Sequence, residues 1–131
     1  IQIPSETRIG KGFYIAHYGR LIIHPQTVIG HNVNISTGVV IGTQFRGPRK
    51  GAPTIGNYVW IGANAIVVGK IRVGNNVLIA PGAYVNFDVP DNSIVIGNPG
   101  LIRRSPGATL NYINNTILFD EYNVRSGEPV R

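Results

Sequence analysis

Residues 55–85 read IGNYVW-IGANAI-VVGKIR-VGNNVL-IAPGAY-V, and an aliphatic residue opens every block of six: Ile55, Ile61, Val67, Val73, Ile79 and Val85. The same frame runs upstream through Ile23, Ile29, Ile35 and Ile41, with Ile9 and Ile15 ahead of them in the same spacing. The residue after each aliphatic is usually small, as at Gly10, Gly30, Gly56, Gly62 and Gly74. The fourth residue after it is nearly always apolar or small, as at Phe13, Gly19, Val33, Phe45, Val59, Ile71, Val77 and Val89, and Thr27 is the polar exception. An α-helix would repeat every 3.6 residues and a half-buried strand every two, so neither explains this period. A short strand and a tight corner every six residues does. Three such units close a triangular coil, with the aliphatics stacked inside and a small residue easing each corner. The spacing therefore predicts a parallel β-helix over residues 9–89. No single coil can bury its own face, so the coils form one array.

The frame slips twice. Ile15 to Ile23 is two residues too long and Ile41 to Ile55 is eight too long. The first slip is read as a bulge within residues 16–22. The second is a loop over residues 42–54, GTQFRGPRKGAPT. Excursions from a rigid scaffold are where function concentrates. Beyond Pro90 the frame is expected to dissolve into a last strand and turn over residues 92–104. Residues 105–131 read as an irregular tail, a candidate cap over the open end of the stack. The expected organisation is thus an all-β helix domain over residues 1–104 followed by a tail over residues 105–131.

The chain has 131 residues, the size of one domain, and no cysteine. That excludes a disulfide framework, a thiolate metal site and a cysteine nucleophile, and it fits a reducing, cytoplasmic compartment. No apolar run is long enough for a membrane span and no signal peptide is visible. The chain starts at Ile1 and holds no methionine, which reads as a piece of something longer. The formal charge of +6 leaves two readings open, a solvated basic surface or a site for an acidic ligand. The basic residues are scattered apart from Arg46, Arg49 and Lys50, so no nucleic-acid partner is expected.

Three histidines are available for chemistry. His17, His24 and His31 stand seven apart, which puts them on different edges of an eighteen-residue coil and argues against a metal site within one chain. His31 suits a turn. His24, in I-I-H-P-Q, fills a slot normally held by a small residue, as a packed corner or as a site residue. His17 lies beside the bulge, which re-aims a side chain out of the lattice. An imidazole there could accept a proton at neutral pH, or it could be a turn residue with no task.

On these residues the sequence resembles the hexapeptide-repeat acyltransferases, and among them the serine acetyltransferase type. The resemblance rests on I-G-K-G-F-Y-I-A-H-Y-G, A-P-T-I-G-N, V-W-I-G-A-N-A-I-V-V-G, V-G-N-N-V-L-I-A-P-G-A-Y-V and V-I-G-N-P-G, and it runs from about Ile3 to Arg103. It implies a left-handed coil, a homotrimer with sites between subunits, and acetyl-CoA as donor, with no metal. It places the catalytic base on His17. It places the donor against Gly42, Thr43, Ala63 and Pro81, with Lys70, Arg103 and Arg104 as the cations nearest the phosphates. Gln2 and His24 are the candidate acceptor contacts beside that site, and Arg49 or Lys50 could supply charge.

Several positions depart from that type. Ala16-His17 stands for an Asp-His pair, Gly51-Ala52-Pro53 for Arg-His-Pro, Gln2 for the aspartate that orients the base, and Arg131 for a terminal isoleucine that docks a partner enzyme. An amino-acid zwitterion needs paired charges that this loop lacks at those places. The H-x-G and I-H-P pattern at His17 and His24 also resembles bacterial exopolysaccharide O-acetyltransferases, and a neutral sugar hydroxyl needs no charged clamp. The acceptor expected is therefore a sugar or polysaccharide hydroxyl, with serine as the alternative. A non-catalytic β-helix scaffold and a zinc-dependent, carbonic-anhydrase-like enzyme are the other two readings.

Overall fold

The computed structural model describes residues 1–17, 19–114 and 116–118. The readings made on Arg131 and on the tail from residue 119 onward lie outside the described residues. Among those described there is no helix, and the strands are two to four residues long. They wind in coils. The first holds β1 (Arg8–Ile9) and β2 (Tyr14–Ile15). The second holds β3 (Ile22–Ile23), β4 (Val28–Ile29) and β5 (Asn34–Ile35). The third holds β6 (Val40–Gly42), β7 (Thr54–Ile55) and β8 (Val59–Ile61). The fourth holds β9 (Ile66–Val68), β10 (Arg72–Val73) and β11 (Val77–Ile79). The last holds β12 (Tyr84–Val85) and β13 (Ser93–Ile96), and β14 (Leu101–Arg104) follows.

Stacking the coils makes three sheets, the faces of a triangular prism. Sheet I is β3-β6-β9-β12, sheet II is β1-β4-β7-β10 and sheet III is β2-β5-β8-β11-β13-β14. Pairing is parallel except for the closing β13–β14 hairpin. The register matches the sequence frame: Ile23 pairs with Ile41, Ile41 with Val67 and Val67 with Val85. Both slips fall where expected, since Ile15 pairs with Ile35 across the bulge and Ile29 with Ile55 across the loop.

The frame does not dissolve at Pro90. Val89 bridges Val73, and Val95 pairs with Ile79. The step from Val85 to Val89 is four residues, so the coil contracts by two and then continues. Val89, read above as a fourth-position residue, is itself a stacking aliphatic. The interior holds both columns of each coil. Ile35, Ile41, Ile61, Val67, Val85 and Val95 are fully buried, as are Val33, Val39, Val59 and Val77. Each such side chain contributes about 1.5–3 kcal/mol by leaving water. Phe45, expected among the interior set, is 81% exposed because the loop carries it out of the coil. Leu21, not Gly19, fills the interior corner before Ile23.

The corners have a different cause from the one expected. The glycine after each aliphatic is not the turning residue. The left-handed backbone belongs to Asn32, Tyr58, Asn64, Asn76 and Asn92, with φ between 55° and 62°, and to glycines such as Gly38 and Gly82. Asparagine tolerates this region better than other side chains do. Gly30 and Gly56 are small because the next coil is close: a Cβ on Gly30 would lie 2.6 Å from the carbonyl oxygen of Gly56.

The corner between sheets II and III carries a ladder. The His31 N–H donates to Asn57 Oδ1, the Asn57 N–H to Asn75 Oδ1 and the Asn75 N–H to Asp91 Oδ1, each at 2.7 Å. His31 Nδ1 accepts from the Lys11 N–H at 2.8 Å. His31 is therefore a rung of the scaffold, as its turn position suggests.

Among the described residues two buried side-chain oxygens lack a hydrogen-bond partner, Gln44 Oε1 in the loop and Thr27 Oγ1 in the coil interior. Thr27 is 1% exposed and its Oγ1 has no hydrogen bond. A buried hydroxyl without a partner costs about 1–3 kcal/mol. Thr27→Val, nearly isosteric, is expected to raise stability by about 1 kcal/mol, read as a higher urea midpoint at unchanged slope.

The described part of the tail does not cap the stack. It turns back along the outer face of sheet III. Thr109 Oγ1 donates to Asn76 Oδ1 at 2.7 Å, and Asn76 Nδ2 donates to the Pro106 carbonyl. Tyr112 meets Trp60 with ring centroids 5.0 Å apart. Farther back, the Asn32 carboxamide takes both backbone groups of Ile117, accepting from its N–H at 2.7 Å and donating to its carbonyl at 2.9 Å.

Candidate active site

The three histidines occupy three different edges of the prism, as the seven-residue spacing requires. His17 follows β2 at the edge between sheets III and I. His24 follows β3 at the edge between I and II, and His31 follows β4 at the edge between II and III. Among the described residues no three His, Asp or Glu side chains are grouped to hold a metal.

His17 heads a column. The equivalent corner residues one, two and three coils on are Thr37, Ala63 and Pro81, two past Ile35, Ile61 and Ile79. The Ala63 carbonyl accepts from the Gly82 N–H at 2.9 Å, which ties these corners together. The bulge presses on this column, since a Cβ on Gly19 would lie 2.5 Å from Thr37 Oγ1. His17 is exposed and lines an open cleft of about 550 Å³ with Ile1, Ile15 and Ala16. No described side chain hydrogen-bonds its ring, and Gln2 does not orient it. The Gln2 backbone instead begins the outer row of sheet I, bridging Ile22.

A second cleft, of about 660 Å³, opens on sheet I towards the edge with sheet II. Gln2, His24, Gly42 and Thr43 all line it, so four of the residues expected in the site come together. Ile1 lines both clefts. His24 is held at both ends. Its backbone N–H donates to the Ile41 carbonyl at 2.8 Å, and its ring Nδ1 accepts from the Gln26 N–H at 3.1 Å.

The loop over residues 42–54 is pinched by an antiparallel bridge between Gln44 and Gly51. Arg49 lies 3.5 Å from Asp88, with side chains 38% and 67% exposed, so the pair is a weak surface contact. The Arg49 carbonyl accepts from the Lys70 N–H at 2.8 Å, and the Lys70 side chain packs beside Gly51. Arg49, Lys50 and Lys70 thus belong to the edge between sheets I and II but line neither cleft. Pro81 and Arg103 meet elsewhere, in an apolar groove of about 420 Å³ between sheet III and the returning tail, with Trp60, Leu78 and Tyr112. Arg104, paired with Ser93 on the same hairpin, does not line it.

The residues assigned to the donor therefore divide between edges. Ala63 and Pro81 share the His17 edge, Gly42 and Thr43 the His24 edge, and Lys70 the loop. Asn32, Asn76, Trp60 and Tyr112 anchor the tail, and sequence reasoning missed all four. A carboxamide that reads the backbone of a distant segment leaves no periodic mark.

Comparison with known proteins places this arrangement. The family model for the bacterial transferase hexapeptide (six repeats) matches residues 52–86. A serine acetyltransferase of Helicobacter pylori is 40% identical over 100 residues, covering 75% of this chain and 57% of the relative. The crystal structure of a serine acetyltransferase from Brucella abortus in complex with coenzyme A matches with a TM-score of 0.72 at 34% identity, over 76% of this chain and 40% of that one. The Neisseria gonorrhoeae serine acetyltransferase in complex with serine matches with a TM-score of 0.68 at 37% identity, over 75% and 40%. The chain spans about half the length of the curated relatives it matches.

These relatives overturn the expectation of a sugar or polysaccharide acceptor, because they are named for serine. That expectation leaned on charges missing at Gly51 and Ala52, and a carboxylate can be met by donors from other coils. The repeat, the register and this likeness agree: the chain belongs to the hexapeptide-repeat family and is a left-handed β-helix of the serine acetyltransferase-like kind.

Proposed function

We propose that the chain is the acyltransferase part of a serine O-acetyltransferase, with acetyl-CoA as donor. The observation that carries this is an exposed His17, whose ring no described side chain hydrogen-bonds, at the head of the column formed by Thr37, Ala63 and Pro81. That column is a track along which an extended thioester arm can lie with its reactive end beside an imidazole. His17 takes the proton of the serine hydroxyl as the oxygen attacks the thioester carbonyl. The tetrahedral oxyanion is met by a backbone N–H, the carbon–sulfur bond breaks, and the proton passes from His17 to the leaving sulfur. No acyl-enzyme forms, so a cysteine-free chain suffices. Residues 1–104 serve as the catalytic unit and residues 105–131 as its tail.

A homotrimer completes the reading. The outer row of sheet I is apolar, with Ile22, Val40, Ile66 and Tyr84 partly exposed. Sheet II presents a mostly polar row, Arg8, Val28, Thr54, Arg72 and Asp88, and sheet III is overlaid by the tail. Threefold packing on sheet I sets the His17 edge of one copy against the His24 and loop edge of the next, which joins residues that one chain keeps apart. No helix among the described residues is long and apolar enough to cross a membrane. A thioester donor and a chain without thiols both fit a reducing cytoplasm.

The test is thiol release from acetyl-CoA with serine, monosaccharides and oligosaccharides offered separately. Serine is expected to be turned over far faster than any sugar. A sugar that outpaces serine overturns the acceptor, and no turnover with any of them overturns the enzyme reading in favour of a scaffold.

A further inference from the structure

We infer that His24 is the residue that reads the carboxylate of the acceptor, as a hydrogen-bond donor through Nε2–H. The inference rests on the serine reading above and deepens it. A backbone amide can only donate, so the Gln26 N–H at 3.1 Å from His24 Nδ1 obliges that nitrogen to carry its lone pair inward. The neutral ring then keeps its proton on Nε2. His24 cannot serve as a base through Nδ1, and its remaining ring nitrogen is a donor.

The ring is also pre-set. Besides the Ile41 carbonyl that holds its N–H, the His24 carbonyl accepts from the Thr27 N–H at 3.0 Å and from Thr7 Oγ1 at 3.4 Å. Backbone and ring are both fixed before any ligand arrives, so little conformational freedom is lost on binding. The residue is half-buried, and a donor there meets an anion in surroundings less screened than open water.

The cleft offers no rival side-chain charge. Its polar side chains are Gln2, His24 and Thr43, and of these only His24 ionises. Arg49 and Lys50 of the loop and the neighbouring Lys70 do not line this cleft, and Arg49 lies 3.5 Å from Asp88 at the surface. The contrast with the other two histidines assigns the roles. His31 has its Nδ1 fixed in the same way, by the Lys11 N–H, but stands in the corner ladder and lines neither of these two clefts. No described side chain hydrogen-bonds the His17 ring, so among the described residues neither of its nitrogens is fixed as an acceptor. The base and the carboxylate donor are thus different histidines on different edges.

The test compares serine with serinamide, which lacks the anion, in the wild-type protein and in His24→Ala and His24→Gln. His24→Ala is expected to raise KM for serine about 10–100-fold, the usual effect of removing a donor to a charged group. It should change kcat less than about threefold and leave KM for acetyl-CoA and for serinamide nearly unchanged. His24→Gln, which puts an amide N–H near the place of Nε2–H, should recover most of the serine KM. The melting temperature of each variant reports whether the fold survives loss of the Gln26 contact. An unchanged KM for serine in His24→Ala, or an equal rise for serinamide, overturns the role of His24 and leaves the serine acetyltransferase reading intact. A wild-type protein that acetylates neither compound overturns both.

Discussion

His17→Ala is expected to slow acetylation of serine by about 10²–10⁴-fold, the range for loss of a general base. The loss should fall on kcat, because His17 exchanges a proton in the transition state and is not needed to hold either substrate in the ground state. Backbone donors to the oxyanion and the binding of both substrates remain in the variant, so turnover should persist above the uncatalysed rate. The structure adds a second readout. His17 is exposed in an open cleft of about 550 Å³, and no described side chain hydrogen-bonds its ring. Free imidazole can therefore enter the space left by the truncated side chain, and it is expected to restore part of kcat to His17→Ala in a concentration-dependent way. Full turnover by the variant without imidazole would remove His17 from the mechanism.

The largest expected effect on stability is at Ile61. Its side chain is fully buried and its strand, β8, is paired to β5 on one side and to β11 on the other. Ile61→Ala leaves a cavity that the coils above and below cannot close, because their own aliphatics are fixed by register. The expected cost is about 2–5 kcal/mol. Trp60, the sole tryptophan, stands next to the cavity on the same strand and gives a fluorescence signal for urea unfolding. Ile9→Ala is the control. Ile9 is only partly buried and its strand pairs on one side, so its loss should cost clearly less. Equal costs at the two sites would mean that burial in the coil interior does not set the stability of this fold.

The coil stack was legible because a six-residue period marks both interior columns at once. The two slips stood out for the same reason, since each displaced every later aliphatic. The contraction between Val85 and Val89 did not stand out. Val89 satisfies the fourth-position rule and the stacking rule equally well, and only its bridge to Val73 decides between them. Handedness came from the resemblance, since spacing is the same in either hand. At the site, the separation of the histidines followed from coil arithmetic. Gln2 and His24, expected at the acceptor, and Gly42 and Thr43, expected at the donor, line one cleft. The acceptor was misread because two missing charges in one loop were taken as a missing clamp. The His24 tautomer could not have been found in the sequence, because the Gln26 amide that sets it is a backbone group with no side-chain signature.

The grip of Asn32 on Ile117 has a mechanical consequence. An array whose repeats touch only their neighbours can open from its ends one repeat at a time. Here the segment that leaves the last coil is fastened to the fourth through Asn76 and to the second through Asn32. Peeling the final coil away then requires the fastening at the far coils to let go as well. The tail works as a splint laid across the stack, and it turns what would be piecemeal fraying of the C-terminal coils into an event that involves most of the array.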